Sequence, residues 1–271
     1  MTVRTRLEAE LSLRVTAPGR LALSVAVANS AKADSEELTV RTAGGQNPPV
    51  DAPAELPHGT RVHVLDLPYD EVHIRYRAER VSGDSEPEAL TDADQITYTR
   101  PSRYCPSDRM IGLALEHFGQ ISEKRDQVRE IVRYVGDRLA YIPGTSRPTD
   151  SALETLLAGE GVCRDFAHLC VTYCRSLDIP ARFAAVYAPG LSPMDFHAVF
   201  EAAIDGHWYV FDATRLAPRQ TLTRIATGRD AADTAFLSTL GCEIELLRSS
   251  ATATTAADLP EDDGTALIAL A

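Results

Sequence analysis

The chain has 271 residues, 44% hydrophobic and 24% charged, a balance that builds one large soluble domain or two small ones. Its formal net charge of -12 and the lack of any Lys/Arg-rich run exclude nucleic acid as the expected partner, because phosphate binding needs a basic surface. No apolar run approaches the ~20 residues that cross a bilayer, and Met1-Thr2-Val3-Arg4-Thr5-Arg6-Leu7-Glu8 lacks a leader's apolar stretch, so no membrane contact and a cytoplasmic setting are expected. Five cysteines, an odd number, fit a reducing compartment better than a disulfide framework.

Residues 1–104 read as a β-sandwich. Leu7, Ala9, Leu11, Leu13 and Val15 alternate with polar residues, the period of a strand with one dry face. Thr16-Ala17-Pro18-Gly19 makes a turn, and Leu21, Leu23, Val25 and Val27 resume the alternation. Shorter strands are expected over residues 38–41, 61–67 and 71–80. His58, His63 and His73 are expected on the surface or on strand faces, not as ligands.

Residues 105–248 read as an α+β core. From about Ser107 the period becomes helical, with Met110, Ile111, Ala114, Leu115 and Phe118 as one stripe. Val128, Ile131, Val132, Val135 and Leu139 form a second, after a possible cap at Ser122. Ser151-Ala152-Leu153-Glu154 is a capping box, and Gly159 is placed to close that helix. Residues 249–271, Ala/Thr-rich and then acidic, are expected to be a flexible tail.

The chemistry concentrates in two segments. In GEGVCRDFAHLCVTYCR (159–175) a glycine-rich entry leads into a helix whose first turn holds Cys163. Unpaired N–H groups and the helix dipole favour an anionic sulfur there, and the same N–H groups can donate to an oxyanion. Cys170 and Cys174 fall within about 20° of Cys163 around the helix, on the face that enters the core, and are expected as small buried hydrophobes. Cys105 and Cys242 carry no signal. His168, nearest in sequence, lies about 140° around the axis from Cys163, so a base has to come from elsewhere.

DFHAVFEAAIDGHWYVFDAT (195–214) reads as two strands joined by Asp205-Gly206, a strong hairpin signal. A two-residue turn pairs Ile204 with His207 and, further out, Val199 with Asp212. His197 and Asp212 then lie on one face as diagonal neighbours, whereas His207 lies on the opposite face from His197. A histidine and an aspartate in strands this apolar are costly unless paired. The pair can serve as catalytic base and orienter for the Cys163 thiol, or it can simply fasten the sheet.

GVCRDFAHL around Cys163, DFHAVFEA around His197 and FDATRLAPR around Asp212, in that order and with short gaps, resemble the bacterial transglutaminase-like superfamily over roughly residues 105–245. The resemblance implies a papain-like α+β core behind an N-terminal β-sandwich, a Cys163–His197–Asp212 triad, and a thioester intermediate formed on a protein or peptide substrate. It leaves open whether water or an amine resolves that thioester, in a peptidase or amidase on one hand and a transglutaminase on the other. A non-catalytic peptide-binding module is a third alternative. No EF-hand-like acidic loop is present, which favours a metal-independent hydrolase; no cofactor or metal is expected. Tyr141, upstream of the nucleophile, is the candidate oxyanion side chain. Arg215 and Arg219 could pair with acids near the site or be solvated.

Overall fold

The computed structural model describes residues 3–45, 47–82 and 85–271; Met1 and Thr2, which open the segment read for a leader, lie outside them. Strand alternation builds the first part as expected. β1 (Val3–Ala17) buries Leu7, Ala9, Leu11, Leu13 and Val15, with Glu8, Glu10, Ser12 and Arg14 outside the core between them. β2 (Gly19–Leu23), β3 (Ser35–Thr42), β4 (Ala54–Glu55), β5 (Arg61–Leu67) and β6 (Glu71–Ser82) follow. Val25 and Val27 are buried but lie in the irregular segment after β2, so the second alternating run is shorter than its pattern suggested.

Helices then take over: α1 (Asp92–Thr99), α2 (Ile111–Phe118) and α3 (Lys124–Arg138). At α2 the buried line is Met110 (its N-cap), Ala114 and Phe118, with Leu113 packed partly against the core; Ile111 and Leu115 are exposed, so the expected stripe loses two members. The cap of α3 is Glu123, not Ser122. After β7 (Ala140–Tyr141) comes α4 (Ala152–Ala158), opened by the Ser151–Glu154 capping box and closed by Gly159 at φ 71°, a left-handed position that glycine takes without strain. β8 (Glu160–Gly161) pairs in parallel with β7 and leads directly into α5 (Cys163–Ser176).

β9 (Ala181–Tyr187), β10 (His197–Ile204), β11 (His207–Phe211) and β12 (Thr223–Gly228) form an antiparallel sheet in the order β11-β10-β9-β12. Ala198, Phe200, Ala202 and Ile204 of β10 pack with Phe166, Cys170 and Tyr173 of α5. Cys170 and Cys174 are wholly buried core residues. From Asp165 to Ser176 every residue of α5 is buried, because α2, α3 and α4 cover the sides the sheet does not. The other face of the sheet holds Val186, Val199, Val210 and Leu222, with Glu201 salt-bridged between Arg182 and Arg224 at 2.8 and 2.7 Å.

The last segment departs from expectation. β13 (Leu237–Leu240) joins the sheet β13-β2-β5-β4, and β14 (Glu243–Thr255) pairs with β1 along its whole length, from Ala17↔Glu243 to Thr5↔Thr255, in the sheet β14-β1-β6-β3. These two sheets share one core and make the sandwich. Residue 249, the expected start of a flexible tail, therefore falls inside a strand. The Ala/Thr run is itself an alternation, with Ala251 and Ala253 buried and Thr252 and Thr254 exposed, of side chains too small to stand out by hydropathy. Residues beyond it are tied down by Asp262 on Arg219, by the Ile268 carbonyl on the Val210 N–H (2.8 Å), and by buried Leu270.

The division at 104/105 shifts as well. Ala89 bridges to His207, and Tyr98 of α1 packs edge-on to Trp208 at 5.6 Å, so the helical part begins before residue 105. Tyr187 and Ile225 of the central sheet join the sandwich core, which makes the two parts contiguous. Among the described residues no helix is long and apolar enough to cross a membrane.

Candidate active site

Local sequence sets each piece of the site. Gly159 ends α4 and Gly161 lets the chain turn tightly into α5; a β-carbon at 161 would lie 2.8 Å from the Asp165 β-carbon. Cys163 is thereby the first residue of α5 and half-buried, where unpaired backbone N–H groups point outward. On the hairpin, Asp205 (φ 50°) and Gly206 (φ 78°) form a two-residue turn with both central residues left-handed, which is the type I′ geometry. Ile204 pairs with His207 and Phe200 with Phe211, as the turn predicts; the ladder ends there, and Asp212 is the first residue past β11.

That register brings the two polar residues together. The His197 Nε2–H donates to Asp212 Oδ2 at 2.8 Å, and both side chains are buried. The other Asp212 oxygen accepts from the Thr214 N–H (2.8 Å) and hydroxyl (2.7 Å). Burial alone would raise the Asp212 carboxyl, but the His197 charge and these hydrogen bonds hold it below its usual range. Burial alone would depress His197; Asp212 and the Cys163 thiol outweigh it and lift the ring to about 10. His197 Nδ1 is buried and makes no hydrogen bond, and the Cys163 thiol is near enough to contribute to the raised pKa of the ring.

Tyr141 lies on the far side of the thiol. Burial, then the neighbouring Cys163 charge, push its phenol up to about 12, so the ring lies beside the thiol. Its ring leans on Phe166 at 5.9 Å between centroids. His197 and Tyr141 thus both lie beside the Cys163 thiol, with Asp212 behind His197.

His168 is elsewhere. It is wholly buried, stacked on Tyr104 at 5.1 Å, with Nε2 accepting from the Ala231 N–H at 3.1 Å. Burial, then nearby arginines, drive its pKa well below normal, so it stays neutral. His207 is exposed at the turn. Of the two arginines near the motif, Arg215 is exposed, whereas Arg219 is buried, makes a two-pronged bond to Asp262 (2.8 Å each), and donates to the Val210 carbonyl at 3.0 Å.

Three further side chains were not singled out from the sequence, although Arg164 and Asp165 stand within GVCRDFAHL. Asp165, Arg164 and Ser146 form a hydrogen-bonded group against the turn that carries Cys163. Only the position of Asp165 in the first turn of α5, three residues after the N-cap, could have marked it. His58 also departs from a plain surface role. With Glu88 and Asp94 it brings ligand-type atoms within 4.8 Å of one another, but Arg182 Nη1 lies 2.9 Å from His58 Nδ1 and already supplies the positive charge a cation would bring.

Comparison with known proteins bears on family and fold. Residues 112–213 match the family model of the transglutaminase-like superfamily. The crystal structure of a candidate cysteine protease from Cytophaga hutchinsonii is 32% identical and superposes with a TM-score of 0.87, over 98% of this chain and 96% of that one. An uncharacterised protein of Mycobacterium leprae is 29% identical over 146 residues, which is 51% of this chain; the match spans 52% of that curated relative, about half its length.

Proposed function

Because the chain belongs to the transglutaminase-like superfamily, a family of cysteine enzymes, we propose that it hydrolyses peptide or isopeptide bonds through a thioester on Cys163. With the thiol proton already held on His197 as a thiolate–imidazolium pair, the Cys163 thiolate adds to the carbonyl carbon. The tetrahedral intermediate collapses, the C–N bond breaks, and the imidazolium protonates the leaving amine. His197 then takes a proton from water, whose oxygen adds to the thioester; the C–S bond breaks, and free acid and the thiolate–imidazolium pair return. Asp212 fixes the tautomer and orients the ring. The Cys163 N–H and the Tyr141 hydroxyl are the two donors for the oxyanion.

The observation that carries this reading is the buried His197–Asp212 bond beside the Cys163 thiol. A wholly structural pair would have no reason to abut a half-buried thiol at a helix start. The name attached to the Cytophaga relative supports a peptide substrate. All five cysteines are unpaired, which suits work in a reducing compartment such as the cytoplasm.

The test is alkylation by iodoacetamide against pH, mapped by peptide mass spectrometry in wild type and His197→Ala. Preferential reaction of Cys163 below pH ~8.5, the free-thiol reference, lost in the variant, is the expected result. A Cys163 as inert as Cys170 in both proteins would sink the triad and favour a peptide-binding module. A glutamine-containing peptide incubated with and without dansylcadaverine then separates the two chemistries: free acid is expected, whereas amide product would make the protein a transglutaminase.

A further inference from the structure

Tyr141 stands at the end of a two-residue strand, 40% exposed, and its only ladder partner is Gly161. A ring held so lightly would wander, and a wandering donor is a poor oxyanion stabiliser. Yet the loop that follows it, residues 142–150, is wired tightly to the nucleophile turn. Asp165, 1% exposed, accepts from the Val162 N–H with one carboxylate oxygen (2.9 Å). With the other it accepts from the Ser146 hydroxyl (3.0 Å) and from Arg164 (3.0 and 3.2 Å). The Arg164 guanidinium donates onward to the Ser146 hydroxyl (2.6 Å) and the Arg147 carbonyl (2.7 Å), and lies over the Tyr104 ring at 5.7 Å. The Tyr104 hydroxyl in turn holds the Pro148 carbonyl at 2.8 Å.

We propose that Ser146, Arg164 and Asp165 are positioning residues: they clasp the 142–150 loop to the first turn of α5 and so hold the Tyr141 hydroxyl where it meets the Cys163 N–H. This rests on the reading of Cys163 and Tyr141 given above. The clasp joins the only two segments that must stay in register for the oxyanion, the one bearing the hydroxyl and the one bearing the N–H. Asp165 is the hinge pin, because one oxygen fixes the residue before Cys163 and the other fixes the loop after Tyr141. A buried carboxylate with every bond spent on these two segments has no other visible task.

Two reagents separate the clasp from a general loss of structure. Alkylation by iodoacetamide needs the thiolate alone, whereas acylation by p-nitrophenyl acetate passes through an oxyanion. Tyr141→Phe is expected to slow acylation about 100-fold, and Ser146→Ala and Arg164→Lys about tenfold, with alkylation of Cys163 changed less than about twofold. In a Tyr141→Phe background the two clasp substitutions are expected to add nothing, because the donor they position is gone. Equal slowing of both reactions, or losses that multiply in the double variants, would overturn the clasp while leaving the triad standing. A Tyr141→Phe protein that acylates normally overturns it too. Wild-type protein that alkylates and acylates no faster than a free thiol would instead overturn the parent reading, and the clasp with it.

Discussion

His197 is where burial and charge compete most directly. A buried imidazole should be hard to protonate, yet it faces a carboxylate that is itself buried, bonded on both oxygens, and unable to find solvent. Removing either charge would strand the other, so the pair titrates as an ion pair with the ring near 10. The folded pKa lies above the ordinary 6.5. The stabilisation from the pair is therefore complete below about 6.5 and is lost as pH rises toward about 10. Melting temperatures of wild type and His197→Gln should accordingly differ most near neutrality and converge at alkaline pH. Turnover should fall on the same alkaline limb, since a neutral ring cannot protonate the leaving amine. A melting difference that widened from pH 7 to 10 would contradict this assignment.

At the scale of elements, the site depends on two short turns that act differently. The turn into α5 is steric: Gly161 is there because Asp165 occupies the space a side chain would need. The hairpin turn is conformational: a β-carbon on Gly206 would meet nothing within 4 Å, but its φ of 78° is left-handed. Gly206→Ala is thus expected to lower unfolding stability by about 1–2 kcal/mol while leaving the reactivity of Cys163 intact. Urea denaturation and iodoacetamide labelling of the same preparation check both halves. Loss of labelling would mean that the turn had slipped to a three-residue loop, which would turn His197 and Asp212 to opposite faces.

At the scale of the molecule, the chain closes on itself. β14 covers the edge of β1, and the residues after it brace the central sheet through Asp262, Ile268 and Leu270. Arg219, held by Asp262, donates to the Val210 carbonyl two residues before Asp212, so the closing segment also steadies the strand end that carries the orienter. Deleting residues 243–271 should leave β1 as a long open edge with the sandwich core exposed beside it. The truncated protein is expected to aggregate or to lose cooperative unfolding, read by size-exclusion chromatography and thermal melting. A soluble monomer with the full-length melting temperature would show that β14 is dispensable.

The features legible in the residues alone are those written as short-range patterns. Alternation marked β1, the Ser151–Glu154 box marked the start of α4, and Asp205-Gly206 set the parity that pairs His197 with Asp212. A hairpin's register is local physics, since two turn residues decide which side chains face which. Tertiary structure decided what local pattern cannot encode. Arg164, Asp165 and Ser146 become one group only when the loop folds back, Arg219 finds Asp262 across 43 residues, and His58 meets Glu88 and Asp94 from another part of the chain. Ion pairs between distant residues leave no periodic trace, because a single charge reads the same whether it meets water or a partner. The Ala/Thr strand was hidden for the related reason that small side chains bury too little surface to announce a face, and only the waiting edge of β1 made them a strand.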